Sequence, residues 1–358
     1  MHSGFLVAAV LVFRDASGGL HAVEGANAET CVLGSAICAE RCAATQLRLH
    51  AAYVDAATTP LVGVYITTLA AGEGGGDVCA PRALVTPGLL CREFMSSLGA
   101  PAAGGSGCGA EGVRVLLCSA DWLPARDAHS GELTGRPGAS ARGAHAVYRL
   151  SDLYPHAPRL SGMPRARVAE EAAAFSARAA AFAPDVCGLS PAAGSPLAAA
   201  VAGGGAAGAA AAIGSALESL YARALLLARR GDSSDDLYPL ALAAGILLAD
   251  GRALLAREHK ALEWGCTLEA PLALAGALAE AAAAGAPPLA MLLVDQFGAL
   301  HAPHAKTRAW MHERGHGDCV VYTHAADGAL VRVTASALYP AAPHIRLTQA
   351  GEGVRRMT

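Results

Sequence analysis

Two kinds of apolar pattern alternate along the chain. Runs such as "FLVAAVLVF" (5–13), "PLVGVYITTLA" (60–70) and "PPLAMLLVDQFG" (287–298) are apolar at nearly every position, of strand length, and bounded by Asp, Gly or Pro. Longer stretches keep helical spacing instead. "ARVAEEAAAFSARAAAF" (166–182) is one, and "IGSALESLYARALLLARRG" (213–231) is another, with basic residues in its last turn where the helix dipole favours them. Strands alternating with helices, and strands apolar on both faces, predict an α/β layered fold.

The pattern also repeats. "HSGFLVAAVLVFRDASGGLHAVEGANAE" (2–29) matches "YPLALAAGILLADGRALLAREHKALE" (238–263): a strand, an Asp/Gly turn, a second strand, then a step through Glu into a helix. Residues 60–70 and 287–298 form a second pair, and "VYRLSDLYPHAP" (147–158) and "VRVTASALYPAAP" (331–343) a third. Three pairs in one order predict a tandem duplication: a first domain over 1–158, an Ala/Pro/Gly-rich linker over 159–205, and a second domain over 206–358. The helix at 213–231 leads the second copy, and the first has no counterpart before its strand. Residues 5–13 imitate the apolar core of a secretory signal, with "ANA" (26–28) as a mock cleavage site. No Lys or Arg precedes them, Arg14 and Asp15 follow at once, and their match lies in mid-chain, so the reading is a strand.

Composition narrows the class. Apolar residues make up 53% and charged residues 16%, which supports a large core and argues against disorder. A net charge of −3 with no basic block speaks against nucleic acid as partner, though not against a single nucleoside. No window reads as a flanked membrane span, so the expectation is a cytoplasmic protein; an organellar address would need a segment upstream of Met1. The ten cysteines are irregularly spaced in a chain too large to need disulfide staples, so reduced thiols or metal ligands are expected.

Candidate chemistry gathers in "GANAETCVLGSAICAERCA" (25–43) and "TPGLLCREF" (86–94). An Asn-x-Glu step, then Cys-Ala-Glu-Arg at a helix start, then a Pro-x4-Arg frame with a Cys before the Arg resembles the cytidine deaminase family over the whole first domain. In degraded form the likeness extends over the second. The resemblance implies a three-layer α/β/α sandwich of that type, present twice, and hydrolytic deamination of cytidine or deoxycytidine in pyrimidine salvage. It implies zinc, which lowers the pKa of a bound water towards about 7, and a Glu that is not a ligand as proton carrier. By the same resemblance Cys38 and Cys91 are metal ligands and Glu40 is the acid/base. Asn27 and Glu29 bind the ribose, Phe5 packs at the base, and Arg41 tempers thiolate charge. The family also assembles through neighbouring domains, which implies a homodimer here.

One position departs from the pattern. Gly88 stands where the family has its middle Cys, and two thiolates are fewer than zinc sites normally take. Cys31, Cys42 and Cys79 are conceivable substitutes, none of them at a position the family uses. The alternative is therefore a nucleoside-binding or scaffold descendant without catalysis. In the second copy, aligning Glu263 with Glu29 puts Leu272 and Leu274 in the ligand and acid/base positions, and "APHAKTRAW" (302–310) puts His304 and Thr307 in the cysteine positions. That copy is expected to be silent. Blander readings stand beside these. Cys38 could be a small buried hydrophobe, Glu40 a first-turn carboxylate favoured by the helix dipole, and Phe5 ordinary core. His312 and His316 have metal spacing only on a helix that the flanking glycines interrupt.

Overall fold

The computed structural model describes residues 6–28, 36–69, 84–99, 109–118, 145–160, 163–195, 197–199, 205–230, 238–261 and 267–340. They fall into two compact units, one drawn from Met1–Ala102, Cys108–Pro155 and Pro340–Thr358, the other from Ala103–Gly107 and His156–Tyr339. Each carries one mixed five-stranded sheet with helices, an α/β fold.

In the first unit the chain runs β1 (Leu6–Arg14), β2 (Leu20–Ala26), α1 (Ala39–Leu49), β3 (Leu61–Leu69), α2 (Leu89–Ser96), β4 (Arg114–Cys118), β5 (His145–Arg149) and a short α3 (Leu150–Leu153). The sheet order is β2-β1-β3-β4-β5, antiparallel except for the parallel pair β3–β4. The β1–β2 turn closes because the Asp15 carboxylate accepts from the N–H groups of Ser17 and Gly19 while Gly18 takes φ +89. Strand β1 thus pairs on both sides. Its buried positions alternate: Val7, Ala9, Leu11 and Phe13 face Ala39, Ala43, Ala44 and Leu47 of α1 and Met95 of α2.

The second unit runs α4 (Arg165–Arg178), α5 (Gly205–Ala228), β6 (Leu242–Leu248), β7 (Ala253–Arg257), α6 (Ala275–Ala283), β8 (Pro288–Asp295), α7 (Ala305–Glu313), β9 (Val320–His324) and β10 (Leu330–Thr334). Its order, β7-β6-β8-β9-β10, repeats that of the first sheet strand for strand, again with one parallel pair, β8–β9. Even the irregularity recurs. The pairing of β1 with β3 slips between Val12 and Phe13, and that of β6 with β8 between Leu247 and Leu248.

Here both faces are covered. Ile213, Leu217, Leu220 and Ala224 of α5 pack on Leu247, Ala290, Leu292 and Tyr322, whereas Leu278 of α6 and Met311 of α7 pack on Ile246, Met291 and Val321. Gly245 permits the close approach of α5, since a Cβ there would lie 2.8 Å from Leu220 Cγ. Helix α5 is long and apolar enough to cross a membrane by length and composition, but its apolar stripe is taken up by the sheet. Residues 165–178, expected as the helical part of a linker, bury Val168, Ala172 and Phe175.

Candidate functional site

Two helix starts build the site. Helix α1 is pressed onto β2, because a Cβ at Gly25 would fall 2.4 Å from the Ala39 carbonyl oxygen and 2.3 Å from the Ala43 nitrogen. A bridge between Ala28 and Ile37 brings the chain back beside β2, and Cys38 then sits at the N-cap with extended backbone (φ −77, ψ 154). Its sulfur makes no cap bond, so it remains available to the space ahead of the helix. Helix α2 starts after Gly88, leaving Cys91 in its first turn. The preceding turn is pinned by Arg92, fully buried, whose Nε donates to the Pro87 carbonyl (2.7 Å) and Nη1 to the Leu153 carbonyl (2.6 Å).

The two starts bring the sulfurs of Cys38 and Cys91 and a carboxylate oxygen of Glu40 within 4.8 Å of one another. Cys91 and Glu40 are buried, at 1% and 5% exposure, and Cys38 is half-buried. Arg41 Nη2 donates to the Ala36 carbonyl (3.0 Å) and lies 3.9 Å from Cys38 Sγ. The Arg41 Nε is buried with no hydrogen-bond partner among the described residues.

The electrostatics divide the thiols. A hydrogen bond from Cys91, aided by Arg41, lowers Cys38 to about 6, a thiolate at neutral pH. Cys91 moves the other way: donating to Cys38, and buried, it holds its proton well above the usual thiol range. Burial raises Glu40 to about 7, so it exchanges a proton near neutrality.

These groups suit zinc in kind and in spacing. Zinc takes thiolates at about 2.3 Å, so ligands around one ion lie within a few ångströms of each other. The set is one thiolate short of the three protein ligands usual at a catalytic zinc. Gly88 supplies nothing. Cys42, one turn along α1, does not join the cluster. Phe5, Glu29, Cys31 and Cys79 lie outside the described residues. Asn27 is described at the end of β2, where its Oδ1 accepts from the Val7 N–H at 2.8 Å.

The second unit holds the corresponding pair of helix starts, in a register that corrects the sequence alignment. The bridge His259–Leu268 spans the same interval as Ala28–Ile37, so Glu269 stands at the Cys38 position and Pro271 at the Glu40 position. The alignment through Glu263 placed Leu272 and Leu274 there, three residues too far along; Leu272–Leu274 instead form a 3-10 turn leading into α6. His304 does occupy the N-cap of α7, as Gly88 does that of α2, and Thr307 stands where Cys91 does. Thr307 donates both its hydroxyl (2.5 Å) and its N–H (3.1 Å) to Glu269 Oε2. A helix-capping bond fills this position. Arg308 repeats the role of Arg92, donating to the carbonyls of Pro303 (2.6 Å) and Leu338 (3.3 Å). Sequence reasoning missed the Glu269–Thr307 bond and the structural work of both arginines, although the recurring Pro-x4-Arg spacing signalled the latter. His312 closes α7, and His316 lies beyond Gly315 in the following turn.

No protein-family model matches the chain, and no curated protein does. Among solved structures it is similar to the cytidine deaminase of Burkholderia pseudomallei, at 21% identity and a TM-score of 0.25 over 44% of this chain and 84% of that one. The enzyme of Mycobacterium tuberculosis gives 24% identity and a TM-score of 0.30 over 35% and 95%. That of Mycobacterium leprae gives 22% and 0.28 over 35% and 97%. TM-scores at this level do not by themselves establish a common architecture, so the functional reading rests on the side chains.

Proposed function

We propose that the first unit is a hydrolytic deaminase acting on cytidine or deoxycytidine, and that the two units are tandem copies of one α/β/α sandwich domain. The copies correspond to 1–158 and 206–358, joined by 159–205. The observation that carries the reading is the convergence of Cys38, Cys91 and Glu40 on one point. Cys38 and Cys91 would hold zinc, which when bound supplies a water acidic enough to ionise near neutral pH. Glu40, titrating at about 7, would take one proton from the attacking water and pass it to the ring nitrogen beside C4, then take the second from the new C4 hydroxyl and pass it to the departing amine as the C4–N bond breaks. Arg41 offsets the charge of the Cys38 thiolate. Asn27 and Glu29 would hold the ribose and Phe5 the base. The capped Glu269–Thr307 pair leaves the second unit without chemistry of its own. A cytoplasmic homodimer that handles a free nucleoside completes the proposal.

Gly88 favours one second reading, a nucleoside-binding or scaffold protein that no longer turns over. The test is zinc content per chain of protein purified without chelator, followed by cytidine turnover by the chain and by Glu40→Gln. About one zinc and a turnover that falls by roughly 10²–10⁴-fold in Glu40→Gln are expected. Turnover that survives the substitution removes Glu40 from its role. A chain with neither zinc nor turnover is the scaffold.

A further inference from the structure

A thiol pair one ligand short, among the described residues, of a complete zinc site is also a dithiol. We infer that Cys38 and Cys91 form a reversible disulfide, a modification that competes with metal for the same two sulfurs. The inference rests on the thiol pair of the proposed site, not on turnover.

The geometry separates the two cysteines by role. Their sulfurs lie within 4.8 Å, and a disulfide needs about 2.05 Å, so closure requires an approach of no more than roughly 3 Å. Cys38 is the N-cap of α1 and Cys91 lies in the first turn of α2, so side-chain rotation at two helix starts brings the sulfurs towards each other. At Gly88, a Cβ would meet nothing within 4 Å among the described residues, while Arg92 holds the turn itself, so the approach falls to the two cysteine side chains. Cys38 is half-buried and can meet a small oxidant, whereas Cys91 is 1% exposed and cannot. Cys38 is therefore the attacking sulfur and Cys91 the resolving one.

With a peroxide as oxidant the step balances. The Cys38 thiolate attacks one peroxide oxygen, the O–O bond breaks, and after protonation a sulfenic acid and water are left. The Cys91 sulfur then attacks the Cys38 sulfur, the S–O bond breaks, and the hydroxyl leaves as water with the Cys91 proton. Two thiols lose two electrons and two protons in total, and the peroxide is reduced to two waters. A small dithiol reverses the change by exchange. Glu40, buried beside the pair, remains chemically unchanged.

The experiment treats the full chain, stripped of metal, with one equivalent of hydrogen peroxide and maps peptides without reduction. The expected product is a Cys38–Cys91 link with loss of two hydrogens, reversed by dithiothreitol and formed at least tenfold more slowly after preloading with zinc. Overoxidised Cys38 beside an untouched Cys91, a link from Cys38 to Cys42, or no link overturns the inference. Cys91→Ser supplies a second arm: two or more equivalents of peroxide should then carry Cys38 through sulfenic to sulfinic acid. An unchanged Cys38 in that variant would overturn its part as the attacking sulfur. Failure of cytidine turnover leaves these readouts intact, so the two proposals fail separately.

Discussion

The two sheets have one topology and unlike surroundings. In the second unit β6 is buried at every position, "LAAGILL", with α5 on one face and α6 and α7 on the other. In the first, β1 buries every other residue. Its second face, built from Val10, Val12, Tyr65, Leu116 and Val147, has no described helix of that unit upon it; Tyr65 is 45% exposed and Val147 62%. The sites contrast in the opposite direction. The well-covered second unit has turned its pair of helix starts into a capping bond, while the less covered first unit keeps two thiols and a buried carboxyl facing one another. The more covered sheet and the cluster of thiols and carboxyl thus lie in different units of like strand order.

The sheet contrast breaks or holds on a pair of charge insertions. Bridge partners across the two sheets make Leu292 the counterpart of Tyr65, since Leu292 pairs with Gly245 as Tyr65 pairs with Val10. Leu292 is fully buried, so Leu292→Lys strands a charge under α5 and should cost at least about 4 kcal/mol, or yield no soluble protein. Tyr65→Lys should change stability by no more than about 0.5 kcal/mol. Urea unfolding of both variants decides the matter. A Tyr65→Lys penalty near that of Leu292→Lys would mean that the first sheet is covered on both faces in solution.

Much of this was legible beforehand, and the misses have physical causes. The strands at 5–13, 60–70 and 287–298 and the helix over 213–231 announce themselves by period alone. The uninterrupted apolar run of β1, however, looks the same as that of β6. An apolar residue records that it can be buried, not what covers it, so one-sided and two-sided packing read alike when the outer residues are Ala and Val. Cys38, Glu40 and Cys91 stood out through the family resemblance of the motifs that carry them, and the structure brings the three together. Glu269 did not. Only the bridge register says which residue stands there, and a carboxylate accepting from Thr307 carries no spacing rule of its own.

The site contrast predicts a pH dependence peculiar to the first unit. Glu40 has an ordinary value of 4.5 and is raised to about 7 by burial. Between those values the folded chain keeps a proton that the unfolded chain has released, so stability falls as pH rises through this window. The full loss is about 3 kcal/mol. Glu40→Gln removes it: metal-free Glu40→Gln should match the parent below pH about 4.5 and exceed it by up to that amount above pH about 7. Urea midpoints across the window read the difference, and parallel curves for the two proteins would mean that Glu40 is not desolvated.

The smallest effect is the sharpest probe of the first unit's site. Gly88 has φ −62, a conformation any residue adopts, and a Cβ placed there meets nothing within 4 Å among the described residues. Gly88→Cys should therefore fold without strain and present a third thiolate ahead of α2, beside Cys91. A gain of about 100-fold in zinc affinity, or about 2.7 kcal/mol, is expected in competition with a chromogenic chelator. The matching change in the second unit, His304→Cys, should gain nothing, because the neighbouring Glu269 and Thr307 are already bonded to each other. An equal gain at both positions would mean that zinc is captured by any cysteine at a helix start. No gain at Gly88 would mean that the space ahead of α2 does not reach the metal, and Cys38 and Cys91 would then be a dithiol alone.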